Sequence, residues 1–576
     1  MSDELMQSLA WLAVLGVGSQ WLAWRLRLPS ILLLLIAGFF AGPVINVIQP
    51  DVMLGDMLMP LVSVSVSLIL YEGGLTLKFS ELKDIGHVVR NLVTIGALAT
   101  WLGSTFAAQW LLGWSTALSA VFGAIVVVTG PTVVGPLLRL VQPTKQVSSI
   151  LKWEGIVIDP VGAVLALLVF EAVHAGHGLE GFSKFAAMGF ARTILIGGSL
   201  GILGGEFMVQ AFRRNWAPDF LQNPLSLMTV VTLYIISNNL QHESGLLTVT
   251  VLGIWLANQK RADVRHIVEF KENLRVLLIS ALFILLAARV KPIDLRTIPI
   301  AGTFALLAVL MLIVRPICVM LSTLGSKLKR NERLFLCWVA PRGIVAAAVA
   351  SIFSIRLADA GLERAEELVP VTFFLIIGTV AIYGLTAVPL ARVLRVSSPN
   401  PQGVLFVGSG PIARAIAKVL HSEGVTVLLA DTNRETLALA RMQGLPVHYG
   451  NVLSEQALNG LELTGIGRLL AVTPNHEVNT LSAVHFREVF GRSQVYQLPP
   501  AQSKGAGQQH SSSHGLGGRL LFHPNLSFAE FSARLQAGAT VKKTQLTEEF
   551  SFEQFKERNG PDAVPLFLIN SKGELR

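Results

Sequence analysis

Long apolar segments recur along the first 395 residues of this chain, and they constrain its fold more than any other feature. A helix that crosses the hydrocarbon core of a bilayer needs roughly 20 mostly apolar residues. Two of these segments, 224–240 and 245–258, are short, and they are also compatible with one broken pair or with two half-helices. We predict a polytopic α-helical membrane domain over residues 1–395, with about 13 transmembrane helices. The predicted spans are 6–24, 29–48, 56–76, 88–112, 115–139, 150–173, 186–211, 224–240, 245–258, 274–290, 298–323, 333–357 and 367–391.

The composition agrees with a membrane protein. Apolar residues make up 52% of the chain and charged residues 14%, whereas a soluble globular protein carries roughly 25% charged residues. Much of the net charge of +9 lies in short loops between the apolar segments, so it does not indicate a nucleic-acid partner. Cys318 and Cys337 both fall in apolar segments, and we expect them to form neither a disulfide nor a metal site.

Basic residues are distributed unevenly between alternate loops. Because loops rich in Lys and Arg stay in the cytoplasm, the richer set marks the cytoplasmic side. With an odd number of spans, this distribution puts the N-terminus outside and everything after residue 395 in the cytosol. We expect a multi-pass membrane protein, surrounded by the lipid bilayer. The richer loops contain Arg25, Arg27, Lys78, Lys83, Arg90, Arg139, Lys145, Lys152, Arg213, Arg214, Lys260, Arg261, Arg265, Lys271, Lys327, Lys329, Arg330 and Arg333; the alternate loops contain chiefly Lys291, Arg296, Arg356 and Arg364.

The composition changes after a linker at residues 397–401. Residues 403–417 have the pattern of a strand, a tight turn and a helix, and residues 425–431 form a second apolar strand pattern. Later strands are predicted at 469–473 and 494–498. This alternation predicts a parallel sheet with helices on both faces, as in a Rossmann-like fold. We assign residues 403–500 to this α/β domain, 501–517 to a flexible linker rich in Gly, Ser, Gln and His, and 518–576 to a small tail domain of unassigned function.

The first turn of the α/β domain carries the pattern Gly408-x-Gly410-x-x-Ala413. The pattern is weak on its own, but here it follows a strand and opens a helix. Asp431 ends the next strand, where a carboxylate binds ribose hydroxyls and disfavours a 2′-phosphate. The pattern therefore predicts NAD(H) or an adenine nucleotide (ATP, ADP or AMP), although Arg434 leaves NADP open. The residues assigned to this site are Gly408, Ser409, Gly410, Ala413, Asp431, Thr432, Arg434, Asn451 and Thr473.

Asp159 is the single charged residue of the apolar stretch 156–168. A carboxylate at membrane depth costs on the order of 3 kcal/mol, and such a group usually faces a partner or a water-filled path for ions or protons. Pro160 follows it and removes one backbone donor, so we expect a weakened helix beside the charge. We predict that Asp159 binds a proton or a cation.

The span 115–139 is interrupted by Thr129-Gly130-Pro131-Thr132. Gly and Pro together break a helix and expose backbone carbonyls next to the Thr129 hydroxyl. Such oxygens are the ligands that a hard cation prefers. Thr129 and Gly130 are therefore candidate cation ligands, and a kink that serves only packing is the alternative.

Two residues lie just before Asp159 in the sequence. Gly155 shares a helix face with the carboxylate and leaves open space beside it. Glu154 lies about 140° away around the helix, and we predict that it pairs with Arg342 in a second interrupted segment, 340–343. A buried Arg–Glu pair is structural as often as functional. No direct role in transport is predicted for the other charged residues at or near spans, which are Glu72, Glu171, Glu206, Arg289 and Arg315.

In combination, these residues resemble the bacterial NhaP-like monovalent cation/proton antiporters of the CPA superfamily. The resemblance rests on Leu68-x-x-Tyr71-Glu72-Gly73-Gly74-Leu75, Val128-Thr129-Gly130-Pro131-Thr132-Val133-Val134, Glu154-Gly155-Ile156-Val157-Ile158-Asp159 and Arg342-Gly343. The second part of the chain resembles the TrkA-N type regulator of potassium conductance (RCK) domain. That resemblance rests on Gly408-x-Gly410, Asp431, Gly450-Asn451 and Val472-Thr473.

The resemblance implies an inverted-repeat fold in which two broken helices cross at the ion site. It also implies a homodimer and an elevator-like alternating access. By matching position, Asp159 is implied to be the essential carboxylate, Thr129 and nearby backbone to be ligands, and Glu154 with Arg342 to tie helices together.

The chain departs from the family pattern at three polar positions. The family usually has Asp where this chain has Gly130, Asn where it has Ile158, and often Ser where it has Gly155. With fewer polar ligands, the site replaces fewer of the water molecules that hydrate a cation. This favours K+ or a broad cation preference over selectivity for Na+.

We interpret the chain as an electroneutral antiporter of K+ and/or Na+ against protons, and not as an enzyme. Exchange would occur around a single buried carboxylate, and a nucleotide on the cytosolic domain would regulate it. A glutathione- or nucleotide-gated potassium efflux system or channel is the alternative. A nicotinamide oxidoreductase is disfavoured because the two apolar cysteines offer no redox group. No metal is expected beyond the transported cation.

Overall fold

The computed structural model separates into two compact units, Met1–Ser397 and Ser398–Arg576. The predicted flexible linker lies outside the described residues except for Gly517, as do Lys291 and Arg296 of the alternate loops. The structure describes residues 2–26, 28–174, 179–262, 264–289, 298–397, 402–453, 461, 463, 465–500, 517–523, 526–547, 550–560, 563–570 and 574–575.

Helices build the first unit, and three of them contain a short π-helical turn, at Phe40–Val44, Leu92–Gly96 and Leu310–Val314. The α-helices are α1 (Ser2–Leu26), α2 (Ser30–Phe39), α3 (Pro50–Leu54), α4 (Leu58–Leu75), α5 (Leu82–Asn91), α6 (Ala97–Leu112), α7 (Thr116–Val127), α8 (Pro131–Val141), α9 (Lys145–His174), α10 (Leu179–Arg213), α11 (Asp219–Leu240), α12 (Ser244–Asn258), α13 (Arg265–Ala288), α14 (Ile300–Val309), α15 (Arg315–Ser322), α16 (Arg330–Trp338), α17 (Ile344–Asp359) and α18 (Leu368–Val393).

Helix forms most of the described part of every predicted span. Among the described residues, eight helices are long and apolar enough to cross a membrane, or nine if the bent pair α7 and α8 counts as one span. Three shorter apolar helices, Ser30–Val44, Ser244–Asn258 and Asn273–Ala288, coincide with further predicted spans. The total of 13 crossings stays a prediction.

Glycine permits a close helix contact in this unit, between α4 and α12. A Cβ added to Gly253 would lie 2.4 Å from the carbonyl oxygen of Tyr71, and one added to Gly74 would lie 2.7 Å from that of Thr250. Because lipid provides little hydrophobic drive for helix association, membrane helices rely on such close approach of small residues. The Tyr71-Glu72-Gly73-Gly74 motif is therefore a packing surface, and Gly73 faces Ile156 of α9 in the same way.

Helix α9 runs without interruption through Pro160. The proline removes one backbone hydrogen bond, yet the surrounding residues from Ile156 to Ala166 are mostly buried against neighbouring helices. Tertiary packing outweighs the local weakness that the sequence suggested, so Asp159 sits on a continuous helix.

The second unit is built on a six-stranded sheet. The strand order is β3-β2-β1-β4-β5-β6 and every neighbouring pair is parallel. This order is that of a doubly wound dinucleotide-binding fold. Its elements are β1 (Gly403–Val407), α19 (Pro411–Ser422), β2 (Val427–Asp431), α20 (Arg434–Met442), β3 (Val447–Tyr449), β4 (Ile466–Ala471), α21 (His476–Phe490), β5 (Val495–Gln497), β6 (Arg519–Leu520), α22 (Phe528–Gln536) and α23 (Phe552–Asn559).

The segment predicted as a separate tail domain, 518–576, packs on the same sheet. Its first residues form β6, which pairs with β5. Phe531 and Leu575 are buried in one apolar cluster with Ile412 and Leu420 of α19. The α/β fold therefore continues beyond residue 500 within this unit.

The contact between α4 and α12 predicts that a single methyl group destabilises the membrane unit. Gly253→Ala forces the two backbones apart, which is expected to cost about 1–3 kcal/mol as overpacking and to lower the melting temperature of the protein in detergent. Gly198→Ala in α10 is the matched control, because a Cβ there meets no atom within 4 Å. Equal melting temperatures for the two variants would contradict the close packing.

Candidate functional site

Two helices of the membrane unit are interrupted within apolar spans. Helix α7 ends at Val127 and α8 begins at Pro131, with a bend of 43° between them. Helix α16 ends at Trp338 and α17 begins at Ile344, and the flanking residues of both interruptions are extended. Pro131 occupies the first helical position of α8, where its missing N–H is not needed and its fixed φ favours the helix.

The two interruptions touch at Gly130 and Gly343. A Cβ added to Gly130 would lie 2.3 Å from the Gly343 Cα, and one added to Gly343 would lie 2.2 Å from the Gly130 Cα. The Gly130 N–H donates to the Pro341 carbonyl at 3.2 Å. Only glycine permits backbones to approach so closely. The N-termini of α8 and α17 therefore start at one place, and both contribute partial positive charge there.

Asp159 lies against this crossing. Gly155 and Gly162, four residues before it and three after it, share its face of α9. A Cβ on Gly155 would lie 3.4 Å from Cγ2 of Val134, and one on Gly162 would lie 2.5 Å from Cγ2 of Val128. Because these contacts belong to the first interruption and to α8, the Asp159 side chain shares the face that packs on the break.

The Asp159 carboxylate is fully buried, with 0% exposure. Neither of its oxygens has a hydrogen-bond partner among the residues that the structure describes. An isolated charge in such surroundings is costly unless it is paired or coordinates a metal ion. A carboxylate in these surroundings could hold a proton or a cation, as the sequence predicts for Asp159.

Thr129 and Thr132 add two hydroxyl oxygens at the same interruption. Both side chains are buried, and neither hydroxyl has a hydrogen-bond partner within the described part of the chain. Thr129 was predicted as a candidate ligand, and Thr132, in the same four-residue segment, was not named as one. Its signal was a second hydroxyl in the first turn of a helix that starts at the break.

Arg342 closes the opposite side of the crossing. Its Nη1 donates to the carbonyls of Val127 and Val128, each at 3.4 Å, and its backbone N–H donates to Oγ1 of Thr379 at 3.3 Å. These carbonyls belong to the C-terminal end of α7, where no further helical turn donates N–H groups to them. A cation at a helix C-terminus is stabilising, so Arg342 compensates the helix that the break cuts off.

Glu154 pairs with Arg315, and the prediction that it pairs with Arg342 was wrong. Arg315 Nη2 donates to Glu154 Oε2 at 3.0 Å, Nη1 contacts the other carboxylate oxygen, and both side chains are buried. Arg315 Nε also donates to the Leu336 carbonyl at 3.1 Å, near the C-terminal end of α16. Arg342 is engaged at α7, so it does not reach Glu154. The sequence did carry a signal for this pair, namely Arg315 within the apolar span 300–322. A guanidinium buried there requires a carboxylate as its partner.

Three of the other charged residues near spans, Glu72, Glu206 and Arg289, form ion pairs with residues other than Asp159. Glu72 contacts Arg275 at 3.0 Å, and Arg289 contacts Asp51 at 3.0 Å. Glu206 accepts from Arg261 through both carboxylate oxygens. These pairs join neighbouring helices or loops, and the absence of a direct transport role for them stays a prediction.

In the second unit, the carboxyl ends of β1 and β4 lie side by side, and the chain leaves them towards opposite edges of the sheet. Ligands of open α/β sheets bind at such a reversal point. Gly408 follows β1 with a φ of +102°, and a Cβ on it would lie 3.1 Å from Cγ2 of Thr473. The turn after β1 and the turn after β4 thus form the two walls of a crevice.

Asp431 is tied to the first of these turns. Its Oδ2 accepts hydrogen bonds from the Ser409 N–H at 2.7 Å and from Oγ of Ser409 at 2.8 Å, and its Oδ1 accepts from the Asn433 N–H at 3.0 Å. The Ser409 hydroxyl also contacts Oγ1 of Thr436 at 2.6 Å, a residue that the sequence prediction did not include. Ser409 and Asp431 are therefore brought together as predicted residues of one site.

The remaining predicted nucleotide residues are spread around the crevice. The Ala413 side chain is buried in the apolar core, so it shapes α19 and does not face a ligand. Thr432 and Asn451 are exposed at the ends of β2 and β3. The Arg434 guanidinium lies 4.7 Å from the centre of the Tyr449 ring.

The crevice fits a nucleotide. A Cβ on Gly410, which precedes α19, would meet no atom within 4 Å, and no side chain caps this helix. An open helix N-terminus favours a phosphate. The three hydrogen bonds that Asp431 accepts leave it further acceptor capacity, since a carboxylate offers about four sites. Gly408, Gly410 and Ser409 would face the phosphates of a bound nucleotide, and Asp431 its ribose.

Comparison with known families matches both units. Residues 11–393 match the family described as "Sodium/hydrogen exchanger, transmembrane", and residues 404–498 match the "TrkA-N domain", which has a nucleotide-binding fold. These matches confirm the resemblances inferred from the sequence. They also confirm the combination of a polytopic helical membrane unit with an α/β domain.

Individual relatives are distant in sequence. The Na+/H+ antiporter 1 of Methanocaldococcus jannaschii is 28% identical over 378 residues, covering 63% of this chain and 86% of that protein. The K+/H+ antiporter NhaP2 of Shewanella baltica is 27% identical over 379 residues, covering 65% of this chain and only 64% of its own length. The structure of the sodium proton antiporter MjNhaP1 of M. jannaschii at pH 8 aligns with a TM-score of 0.59 at 25% identity, over 68% of this chain and 99% of that one.

The Glu154–Arg315 ion pair predicts strong energetic coupling between these two residues. Each single variant, Glu154→Gln or Arg315→Gln, leaves one buried charge without its partner and is expected to lose about 3–5 kcal/mol. The double variant is expected to lose less than the sum, as measured by unfolding of the purified protein in detergent. In the matching cycle, Glu154→Gln and Arg342→Gln are expected to couple more weakly, because the Arg342 guanidinium donates to the carbonyls at the end of α7. Stronger coupling to Arg342 than to Arg315 would contradict the assignment.

Proposed function

Because this chain belongs to the sodium/hydrogen exchanger family, we propose that it exchanges a monovalent cation, K+ and/or Na+, for a proton across the bacterial inner membrane. The observation that carries the proposal is Asp159, a fully buried carboxylate without a hydrogen-bond partner among the described residues, at the crossing of two interrupted helices. The relatives named as Na+/H+ and K+/H+ antiporters support both cations as substrates.

The coupling follows from the surroundings of this one carboxylate. An ionised carboxylate without a counterion costs several kcal/mol in an apolar interior, so its low-energy states are the protonated form and the cation-bound form. The two ligands compete, because the oxygens that hold the cation are those that would hold the proton. If only the loaded forms reorient, each turnover moves one cation against one proton. The exchange is then electroneutral.

The half-helices around Asp159 supply the rest of the binding site. The positive N-terminal ends of α8 and α17 stabilise the carboxylate when it has released its proton. Thr129 and the carbonyls freed by the break would offer neutral oxygens to the cation. Arg342 and Arg315 hold the crossing together at its two C-terminal ends. The crossing and α9 would therefore move as one body during an elevator-like alternating access, within a homodimer.

The α/β unit supports regulation by a nucleotide, NAD(H) or ATP, ADP or AMP. It would lie in the cytosol, with the N-terminus of the chain outside. A ligand shifts a conformational equilibrium only when it binds the two states with different affinity. The crevice is formed by the turn after β1, the end of β2 and the turn after β4. A bound nucleotide would contact all three and would therefore change their relative positions. The linker at 397–401 would transmit that change to the membrane unit.

Substitution of the central carboxylate is expected to abolish exchange. Asp159→Asn keeps the side-chain shape but binds neither a proton nor a cation in exchange, so cation-driven proton flux should fall to background in liposomes that contain a pH-sensitive dye. The melting temperature should not decrease, because the carboxylate makes no hydrogen bond within the described residues that the amide would lose. Asp84→Asn, at an exposed position of α5, is the control. Normal flux through Asp159→Asn would refute the proposed mechanism.

Nucleotide binding is expected to depend on the open space at Gly410. Gly410→Val places a side chain at the N-terminus of α19, where its Cβ meets no atom within 4 Å, so folding should be preserved while the phosphate approach is blocked. In the full chain, saturating nucleotide should raise the melting temperature of the wild type, since a ligand that binds only the folded state stabilises it, and should raise that of the variant much less. Lys418→Ala, exposed on the same helix, serves as the control. If none of NAD(H), ATP, ADP and AMP shifts the wild-type melting temperature, the regulatory proposal fails.

A further inference from the structure

Thr132 is buried at the crossing with an unused hydroxyl. Its side chain is 3% exposed, and Oγ1 has no hydrogen-bond partner among the described residues. The same oxygen would lie 3.4 Å from a Cβ added to Gly130. The hydroxyl is therefore directed back at the interruption, next to the point where the two broken helices touch.

Most buried threonines in the continuous helices of this unit use their hydroxyl differently. Thr250 donates to the carbonyl of Leu246 at 2.7 Å, and Thr323 to that of Val319 at 2.8 Å, each four residues earlier. This back-bonding satisfies a hydroxyl in an apolar helix.

Thr132 does not make this bond because of its position at the break. The carbonyl four residues earlier belongs to Val128, whose backbone is extended and which accepts from Arg342 at 3.4 Å. In an apolar interior, a hydroxyl without a partner costs about 1–3 kcal/mol. That cost disappears when a ligand occupies the interruption.

We propose that Thr132 is a binding residue for the transported cation and that it supplies a hydroxyl oxygen beside the Asp159 carboxylate and Thr129. This inference rests on the proposed exchange function and extends it to a named residue and a preferred ion. Helix α9 packs its Asp159 face on Val128, Pro131 and Val134, and the Thr132 hydroxyl opens onto the same break.

The resulting oxygen set suits K+ better than Na+. It contains one anionic group, with the threonine hydroxyls and backbone carbonyls as neutral ligands. A smaller cation holds its hydration water more tightly, so it requires more or stronger oxygens in replacement. Gly155 contributes no side-chain oxygen to this set. A Cβ added there would make only ordinary contacts, at 3.4 Å from Val134 and 3.7 Å from Pro131. The site therefore has room for a further ligand that the sequence does not supply.

The experiment compares cation dependence of exchange for variants of the full chain in liposomes, with KCl and with NaCl as the driving salts. Thr132→Val removes the hydroxyl at nearly constant volume and is expected to raise the apparent KM for K+ about tenfold, the equivalent of about one lost ligand contact. Thr132→Ser keeps the hydroxyl and should stay within about twofold of the wild type. Gly155→Ser adds a hydroxyl and should lower the KM for Na+ relative to that for K+.

Thr372→Val is the matched control. Thr372 in α18 is equally buried and its hydroxyl is also without a partner in the described residues, but it does not belong to an interruption. Its KM should not change. If Thr132→Val misfolds, as judged by its melting temperature, Thr132→Ala serves as the second removal variant.

The outcomes separate this inference from the proposed function. Wild-type exchange together with an unchanged KM in the hydroxyl-removal variant overturns the role of Thr132 and leaves exchange at Asp159 intact. A lower wild-type KM for Na+ than for K+ overturns the ion preference. If the wild type shows no exchange with either salt, with or without nucleotide, the exchange function is overturned and this inference with it. A raised KM for Thr132→Val with normal behaviour of Thr132→Ser and Thr372→Val supports the proposal.

Discussion

The contact between Gly130 and Gly343 is the constraint on which the rest of the membrane unit depends. Two helices that are cut in the middle of a membrane expose polar backbone groups, and these groups must be satisfied within the protein. Crossing the two cuts at a pair of glycines brings both sets of groups to one place. There the N-termini of α8 and α17 favour negative charge, and the buried carboxylate of α9 lies on the adjoining face. The proposed ion site is thus a consequence of how the two breaks are packed.

Two arginines complete this arrangement in equivalent ways. Arg342 donates to the last carbonyls of α7, and Arg315 donates to a carbonyl near the end of α16. Each cut helix therefore ends on a guanidinium, which compensates its negative end. Arg315 carries Glu154 as its counterion, whereas Asp159 on the same helix has no such partner within the described residues. The structure thus separates a paired carboxylate that holds helices together from an unpaired one that is free to bind a ligand.

Sequence reasoning found the features that are coded locally. An isolated acid in an apolar stretch, a Gly-Pro break and a glycine turn after a strand are each visible within a few neighbouring residues, so Asp159, Thr129 and Gly408 could be named as candidates from the sequence. Ion pairs between helices were harder to predict, because several basic residues could pair with one buried acid. Glu154 was predicted to pair with Arg342, whereas it pairs with Arg315. Thr132 escaped because a threonine in a helix normally bonds its own backbone. The inclusion of residues beyond 518 in the sheet was not predicted, because β6 has only two residues.

Competition between a proton and a cation for Asp159 is the central claim, and binding of K+ to the purified protein as a function of pH tests it most directly. If one carboxylate holds either ligand, K+ affinity falls by about tenfold for each unit of decreasing pH once the carboxylate is mainly protonated, as linkage requires. Asp159→Asn should then bind K+ weakly at every pH. A K+ affinity that does not change with pH in the wild type would contradict the account.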